Sequence, residues 1–384
     1  MKKYLLLLLI TSTLMVANSW TFKGNSVAYI QTQDNSGTAD IGSDESTFND
    51  FGIQIRAKNR HLFADVGVQV ELTGLYSNDD FSNRRIQNMG NINNGIPRGF
   101  GGAVTQAYFT YGVDNTSLKI GRQRLPKFLS PFAFTEAWQP LKNSFDALVI
   151  INSDISNTTL LYAGVTKSNG TNGADMGAFN KLNKNGDIVH MLTAKNSSLQ
   201  DLVLTGSIYY APDFTTKDAL NIIWADAQYH YQDYAIAFQA GQILDMTNTD
   251  ATTALGAKIG GKYDIFDASL SLSYVNDGTM KLQNLGTGVK TPLYTQLILN
   301  QGHIKSNDTT VVLRVSSKLW GGKLGFAFDF TKDHSDAKDN YNEIDITFKK
   351  KLIASTTLFL GYMRADTTNS DANNRLRTWV RYNF

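Results

Sequence analysis

The sequence predicts an all-β fold: a transmembrane antiparallel up-and-down β-barrel of about eighteen strands, with sixteen as the alternative count, and a third extracellular loop folded inward. Three observations predict it. Short runs alternate apolar and polar residues with period two from Trp20 onward; the connections between runs alternate short and long; and the chain ends in an amphipathic run closing on Phe384.

The alternation is clear in Phe51–Arg56, Ala64–Leu72, Leu270–Tyr274, Leu324–Phe330 and Glu343–Lys349. Successive strand residues point to opposite faces, so each run needs two different surroundings. A soluble β-sandwich would meet that need as well, and the arrangement of the runs separates the two. Strands are expected near 23–32, 50–57, 62–73, 103–111, 116–123, 145–152, 158–166, 188–195, 202–210, 220–230, 234–242, 254–263, 268–275, 309–318, 324–331, 342–349, 356–364 and 374–384.

Even-numbered connections are short, among them Lys58–His61, Gly112–Asn115, Ser153–Asn157 and Tyr231–Asp233. Odd-numbered ones are longer, with peaks at Gly74–Gly102, Arg124–Ser144, Lys167–Asp187 and Asn276–Asp308. Tight turns at one end and variable loops at the other are the pattern of an outer-membrane barrel, and an even strand count leaves both termini on the periplasmic side. Proline placement agrees. Pro97, Pro126, Pro131, Pro140, Pro212 and Pro292 all fall in long loops, as they must where a closed ladder has no edge to hide a missing donor.

In the closing run Leu376, Val380, Tyr382 and Phe384 share one face, and Arg375, Arg377, Arg381 and Asn383 the other. An aromatic terminal strand is an aggregation hazard in water and makes sense against lipid. Val380, Tyr382 and Phe384 are therefore the expected assembly signal.

Residues 1–19 read as an address. Met1-Lys2-Lys3 is a positive head, Tyr4–Ile10 an apolar centre and Ala17-Asn18-Ser19 a small-x-small cleavage site. This is the pattern of a secretory signal peptide, leaving 20–384 as the barrel domain of an envelope protein. Losing Lys2 and Lys3 would make basic residues equal to the 34 acidic ones, so no basic field for nucleic acid remains. The seven-residue run Tyr4–Ile10 is the longest apolar stretch, far below the ~20 residues of a membrane helix. The absence of cysteine excludes disulfide scaffolds, zinc–cysteine sites, thiol nucleophiles and a lipidated N-terminal cysteine.

If the apolar parity faces lipid, the other lines a lumen. It carries Arg56, Asp65, Glu71, Lys119, Asp226, Lys258, Lys262, Arg314, Asp329, Glu343, Asp345, Arg377 and Arg381. Charges of both signs suit a wet channel, where water and opposing charges satisfy them; a structural network on the wall is the plainer reading for any one of them. The third long loop, with Phe128, Phe132, Phe134 and Trp138, is too aromatic to lie in solvent. Folded inside, it would bring Arg122, Arg124, Lys127 and Glu136 to a constriction; packing against a neighbouring subunit is the alternative.

The stretch Leu118-Lys119-Ile120-Gly121-Arg122-Gln123, followed by Pro126, Pro140 and Phe145-Asp146-Ala147, resembles the third-loop region of OprD-type porins, the broad group that includes the major outer-membrane porins of Campylobacter. The resemblance implies an eighteen-stranded barrel, a constricting third loop, a basic ladder opposite acidic loop residues, and passage of small solutes or ions. By matching position it places Arg122, Arg124 and Glu136 at the constriction; Lys258, Arg314, Arg377 and Arg381 match the ladder by strand order alone. Asp146-Ala147 stands where Glu-Gly is commoner, and the loops are short for the family, so solute preference stays open.

Enzyme-like signals are weak. Gly256–Lys262 matches a phosphate loop up to its lysine, but Tyr263 follows where Ser or Thr is needed. The five histidines are scattered and make no zinc spacing. Asp333, Asp336 and Asp339 could hold a calcium ion in an outside loop, against the reading of a solvated acidic loop; no other cofactor is expected. The expected function is an outer-membrane porin for passive diffusion of small hydrophilic solutes, constricted by loop 124–144, and no enzyme. The rivals are a non-conducting surface adhesin or envelope anchor and an outer-membrane lipid hydrolase. Expected partners are outer-membrane lipid and lipopolysaccharide, the barrel-assembly machinery at the C-terminal strand, and two further copies in a homotrimer.

Overall fold

The computed structural model describes residues 20–34, 40–43, 46–63, 65–77, 99–136, 141–169, 179–183, 185–212, 214, 219–245, 250–288, 291–335, 340–368 and 370–384; the expected leader, residues 1–19, lies outside them. Nineteen strands form one sheet: β1 (Trp20–Gln33), β2 (Thr47–Phe63), β3 (Val66–Ser77), β4 (Gly99–Val113), β5 (Thr116–Gln123), β6 (Phe145–Asn152), β7 (Thr158–Ser168), β8 (Asn180–Lys181), β9 (Val189–Asn196), β10 (Leu202–Ala211), β11 (Leu220–Tyr231), β12 (Tyr234–Asp245), β13 (Thr252–Tyr263), β14 (Phe266–Val275), β15 (Asp308–Leu319), β16 (Gly322–Asp333), β17 (Tyr341–Ile353), β18 (Thr356–Thr367) and β19 (Ser370–Asn383). β8 is a two-residue rung on the loop end of β7, which the period-two pattern is too short to reveal. The other eighteen are the strands expected from sequence.

Each wall strand runs antiparallel to its neighbours, and β1 pairs with both β2 and β19, so the sheet closes on itself as an eighteen-strand barrel. Closure runs from Asn25 opposite Asn383 to Gln33 opposite Arg375. Phe384 extends it by exchanging two backbone hydrogen bonds with Gly24, at 2.8 and 3.0 Å. Glycine is needed at 24 because a Cβ there would lie 2.3 Å from the Phe384 ring. Every wall strand has partners on both sides, the condition for β-structure to span hydrocarbon. Among the described residues no helix is long and apolar enough to cross a membrane.

The outward parity is apolar: Ile55, Leu72, Phe109, Ile120, Ile223, Phe238, Leu255, Leu270, Phe328, Ile346, Leu360 and Val380 are all exposed. Aromatic residues gather at the short-turn end, with Tyr263 stacked on Phe266 (5.0 Å) and Tyr382 against Phe384 (6.1 Å). An apolar band with an aromatic girdle is what a barrel presents to a bilayer.

The expected turn at Lys58–His61 lies further along. β2 continues to Phe63 through a bulge between Asn59 and Phe63, so Asp65 sits exposed in the turn itself. The alternation of Ala64–Leu72 runs on through Asp65, but β3 begins only at Val66, so the expected strand 62–73 starts too early and wrongly places Asp65 on the pore wall.

Two loops fold inside the barrel. In the third (124–144), Leu125, Leu129, Phe132 and Ala133 join a buried cluster with inward residues of β6, β7, β9, β10, β11 and β12, including Phe145, Val149, Leu161, Met191, Tyr209, Trp224 and Ile243. Phe132, with no exposure, meets Tyr209 and Trp224 edge-on at 5.7 and 5.3 Å. The seventh loop (276–307) adds Leu282, Leu293 and Ile304 to the same cluster. The inward face of β6 to β12 is thus covered where the sequence predicted wet wall throughout, because this seventh loop, unassigned from sequence, packs against it as well.

The candidate pore constriction

The third loop starts at mid-wall. Gly121 enables the departure: its φ is +121°, and a Cβ there would lie 2.3 Å from the Ala107 carbonyl. Strand alternation then decides what enters the lumen. Gln123 is fully buried and donates to the Ala147 carbonyl at 2.9 Å. Arg122, one residue earlier, shares the parity of lipid-facing Ile120 and points outward. It pairs there with Asp146 (2.7 Å) and its guanidinium packs on the Phe179 ring at 3.3 Å. This corrects the assignment of Arg122 to the constriction.

Arg124 does enter the lumen. Its Nη2 donates to Glu71 Oε1 at 2.7 Å, and Arg56 Nη2 donates to the other oxygen, Oε2, at 2.6 Å. Thr105 adds a third donor at 2.9 Å. Glu71 is wholly buried, so two arginines and a hydroxyl meet the condition for burying a carboxylate. Around this centre the inward parity is basic. Lys119 lies over the Tyr108 ring at 4.0 Å, Arg381 over Trp379 at 5.1 Å and Arg377 over Tyr29 at 5.8 Å. Arg377 also gives two hydrogen bonds to Gln31 Oε1, at 3.0 and 2.9 Å, across the barrel seam.

The other two loop residues expected at the constriction lie elsewhere. Lys127 Nζ donates to Gln296 Oε1 (2.8 Å) and to the Thr291 carbonyl (3.1 Å), stapling the third loop to the seventh. Glu136 is 2 % exposed, and its backbone N–H donates to Asn143 Oδ1 at 2.8 Å, so it is packed within the loop. The two loops share further bonds. Leu285 N–H donates to the Phe132 carbonyl (2.7 Å), and Asn284 both donates to Phe134 O (2.8 Å) and accepts from Phe134 N–H (3.3 Å).

The seventh loop also covers the acidic wall. Leu299 N–H donates to Glu343 Oε1 at 2.8 Å, Asn300 Nδ2 donates to Asp329, and Arg314 Nη2 donates to the Gln296 carbonyl at 2.7 Å. Asp329 and Glu343 are therefore buried beneath a loop and do not face open lumen, while Asp345 borders the cavity toward the turn end. The Tyr294 hydroxyl donates to Asp226; burial, and then the carboxylate, push that phenol well above its ordinary value. Toward the turn end the space under this loop widens into a cavity of about 700 Å³, lined among others by His230, Lys258, Lys262, Arg314 and Lys323.

The assembly residues Val380, Tyr382 and Phe384 all project outward. Asp333 is buried, pairing with Lys305 at 3.3 Å and accepting from Ser335 N–H at 2.8 Å; Asp336 and Asp339 lie outside the described residues. Among the described residues no group of three or more acidic or histidine side chains is placed to hold a metal ion. Sequence reasoning missed Lys142, Tyr294, Asn143 and Asn284. The leucines and isoleucines of 276–307 were the available signal, by the reasoning that placed the aromatic third loop inside.

No family model and no curated protein matches the chain. Solved structures do match its fold. Pseudomonas aeruginosa OccK8 (OprE) superposes with a TM-score of 0.76 over 95% of this chain and 98% of that one, at 11% identity. Acinetobacter baumannii OccAB1 gives 0.74 over 95% and 96%, at 12% identity. Pseudomonas aeruginosa OccD3 (OpdP) gives 0.72 over 96% and 92%, also at 12%. These neighbours are outer-membrane porins of the OprD type.

Proposed function

We propose that the chain is an outer-membrane porin, a water-filled channel through which small hydrophilic solutes diffuse, with anions favoured over cations. The observation that carries the reading is the charge at the narrowing. Arg56, Arg124, Lys119, Arg377 and Arg381 occupy the inward parity there, and the carboxylate among them, Glu71, is already bridged by two arginines. Uncompensated positive charge in a confined aqueous space attracts anions and repels cations.

The apolar outer band supports insertion in lipid, and the likeness to OprD-type porins supports the outer membrane as the site. The exposed face of Val380, Tyr382 and Phe384 suits recognition by an assembly machine before insertion, and lipid and lipopolysaccharide surround it afterwards. The test is current through the purified protein in a planar bilayer under a potassium chloride gradient. Discrete, long-lived steps with a reversal potential displaced toward chloride are expected. Negligible conductance would favour the plugged-barrel reading of an adhesin or anchor instead.

A further inference from the structure

We propose that Lys142 is the residue of the constriction that contacts the anionic groups of passing solutes and so sets the strength of anion preference; this rests on the channel reading above. Lys142 belongs to the third loop and is held on both sides. Leu141 is fully buried against Val27, Tyr29 and Leu75 of the wall. Asn143 is clamped inside the loop, accepting from Glu136 N–H at 2.8 Å and donating to the Phe134 carbonyl at 3.2 Å. The backbone of Lys142 is thus held in place, and its flexible side chain reaches out from a set point beside the wall.

The charges it faces are nearly all of its own sign: Arg124 at the base of the loop, Arg381 on β19 and Lys349 on β17, with Glu71 on β3 as the counter-charge. Glu71 is committed to Arg56 and Arg124. Among the described residues Lys142 makes no hydrogen bond and no ion pair. Arg124 and Lys127, by contrast, each donate to a protein acceptor, Glu71 and Gln296. A half-buried ammonium with three cationic neighbours and no partner is unfavourable until an anion arrives. A carboxylate or phosphate group on a solute would supply it.

The same surroundings make the residue sensitive to pH. Burial, followed by Arg124, Arg381 and Lys349, holds the Lys142 ammonium below the ordinary lysine range, with Glu71 opposing. A lysine with a lowered value loses its charge earlier as pH rises. Anion preference should therefore decline before ordinary lysines titrate.

The test uses the full barrel in planar bilayers under a potassium chloride gradient near 0.1 M, where screening reaches only about 10 Å. Reversal potentials are read at about pH 7 and about pH 10, the upper pH lying just below where ordinary lysines titrate, for the wild type, Lys142→Met and Lys142→Arg. The wild type should lose anion preference between the two pH values. Lys142→Met should lower the chloride-to-potassium permeability ratio at neutral pH on the order of fivefold, the factor one charge exerts at about 4 Å through water, and should flatten the pH profile. Lys142→Arg, whose guanidinium stays charged, should keep the high ratio and show a smaller decline than the wild type, the rest coming from other lysines of the wall. A Lys142→Met channel with the wild-type ratio and profile would overturn the inference alone. A wild-type barrel that carries no current, or prefers potassium, would overturn the channel reading and the inference with it.

Discussion

The wall formed by β17 to β19 and β1 to β5 carries Lys349, Arg377, Arg381, Arg56, Glu71 and Lys119 on its inward face. The wall from β6 to β12 carries Phe145, Val149, Leu161, Met191, Tyr209, Trp224 and Ile243 on the same parity. Both walls obey the same alternation, and both present aliphatic and aromatic residues outward. What differs is what lies across from them. The basic wall meets the rim of the third loop, whereas the apolar wall is covered by Leu125, Leu129 and Phe132 of that loop and by Leu282, Leu293 and Ile304 of the seventh. On these two walls the inward face matches what covers it, while Asp329 and Glu343 show that a loop carrying its own donors can cover a polar stretch as well.

The most damaging way to break that division is Phe132→Ala. The ring has no exposure and sits between Tyr209 and Trp224. Its loss should cost about 3–5 kcal/mol through a cavity that the closed wall cannot collapse to fill. The third loop would loosen, so the open channel should become noisier and the detergent-solubilised barrel should unfold at lower temperature. An unchanged current trace and melting curve would show that something other than this aromatic anchor fixes the constriction.

Glu71→Gln addresses the basic wall. The amide keeps one acceptor oxygen for one of the two arginines, turns its NH2 toward the other and removes the negative charge, leaving two guanidinium groups uncompensated. Breaking a buried ion pair costs about 3 kcal/mol at the low end, and the anion preference should rise. A reversal potential that stays put would mean that solutes do not sense the Arg56–Glu71–Arg124 centre.

Sequence and structure agree most closely where one rule acts alone. Alternation, proline placement and the short-long rhythm of connections locate the wall strands and the inward third loop, because a closed ladder in hydrocarbon leaves the backbone little choice. They fail where a second effect intervenes. β3 begins at Val66, so the alternation of Ala64–Leu72 extends past the wall and Asp65 falls in the turn. A single step of parity put Arg122 outside, where its charge had suggested the pore. The leucines of 276–307 signalled burial as the aromatics of the third loop did, but the donors that satisfy the buried Glu343 and Asp329 are the Leu299 backbone N–H and the Asn300 side-chain amide of that loop. Pairings of that kind depend on the loop's path and leave no trace in residue spacing.

A smaller change sharpens the link between the two inward loops. Lys127→Met removes the donors to Gln296 Oε1 and the Thr291 carbonyl and the ammonium over the Phe134 ring, while keeping an unbranched side chain of similar length. A hydrogen bond to a charged group contributes about 1.5–3 kcal/mol, so stability should fall by less than for Phe132→Ala. Hydrogen exchange at residues 291–297 should speed up with little change in selectivity, since the ammonium is sequestered between the loops. A marked fall in anion preference would instead place Lys127 in the solute path.

The smallest expected effect comes from Arg122→Gln, which separates location from charge. Arg122 and Arg124 are two residues apart, and both are arginines in ion pairs, yet the structure puts Asp146 and Phe179 around the first and Glu71 around the second. The Arg122–Asp146 pair is about a quarter exposed on each side, and pairs open to solvent contribute about 0–1 kcal/mol. Its removal should leave the reversal potential unchanged, because the wall lies between the charge and the lumen. Arg124→Gln, measured alongside it, should lower anion preference and strand the Glu71 carboxylate with Arg56 alone. If the two variants shift selectivity equally, the outward parity of Arg122 is wrong and β5 enters the third loop one residue out of step.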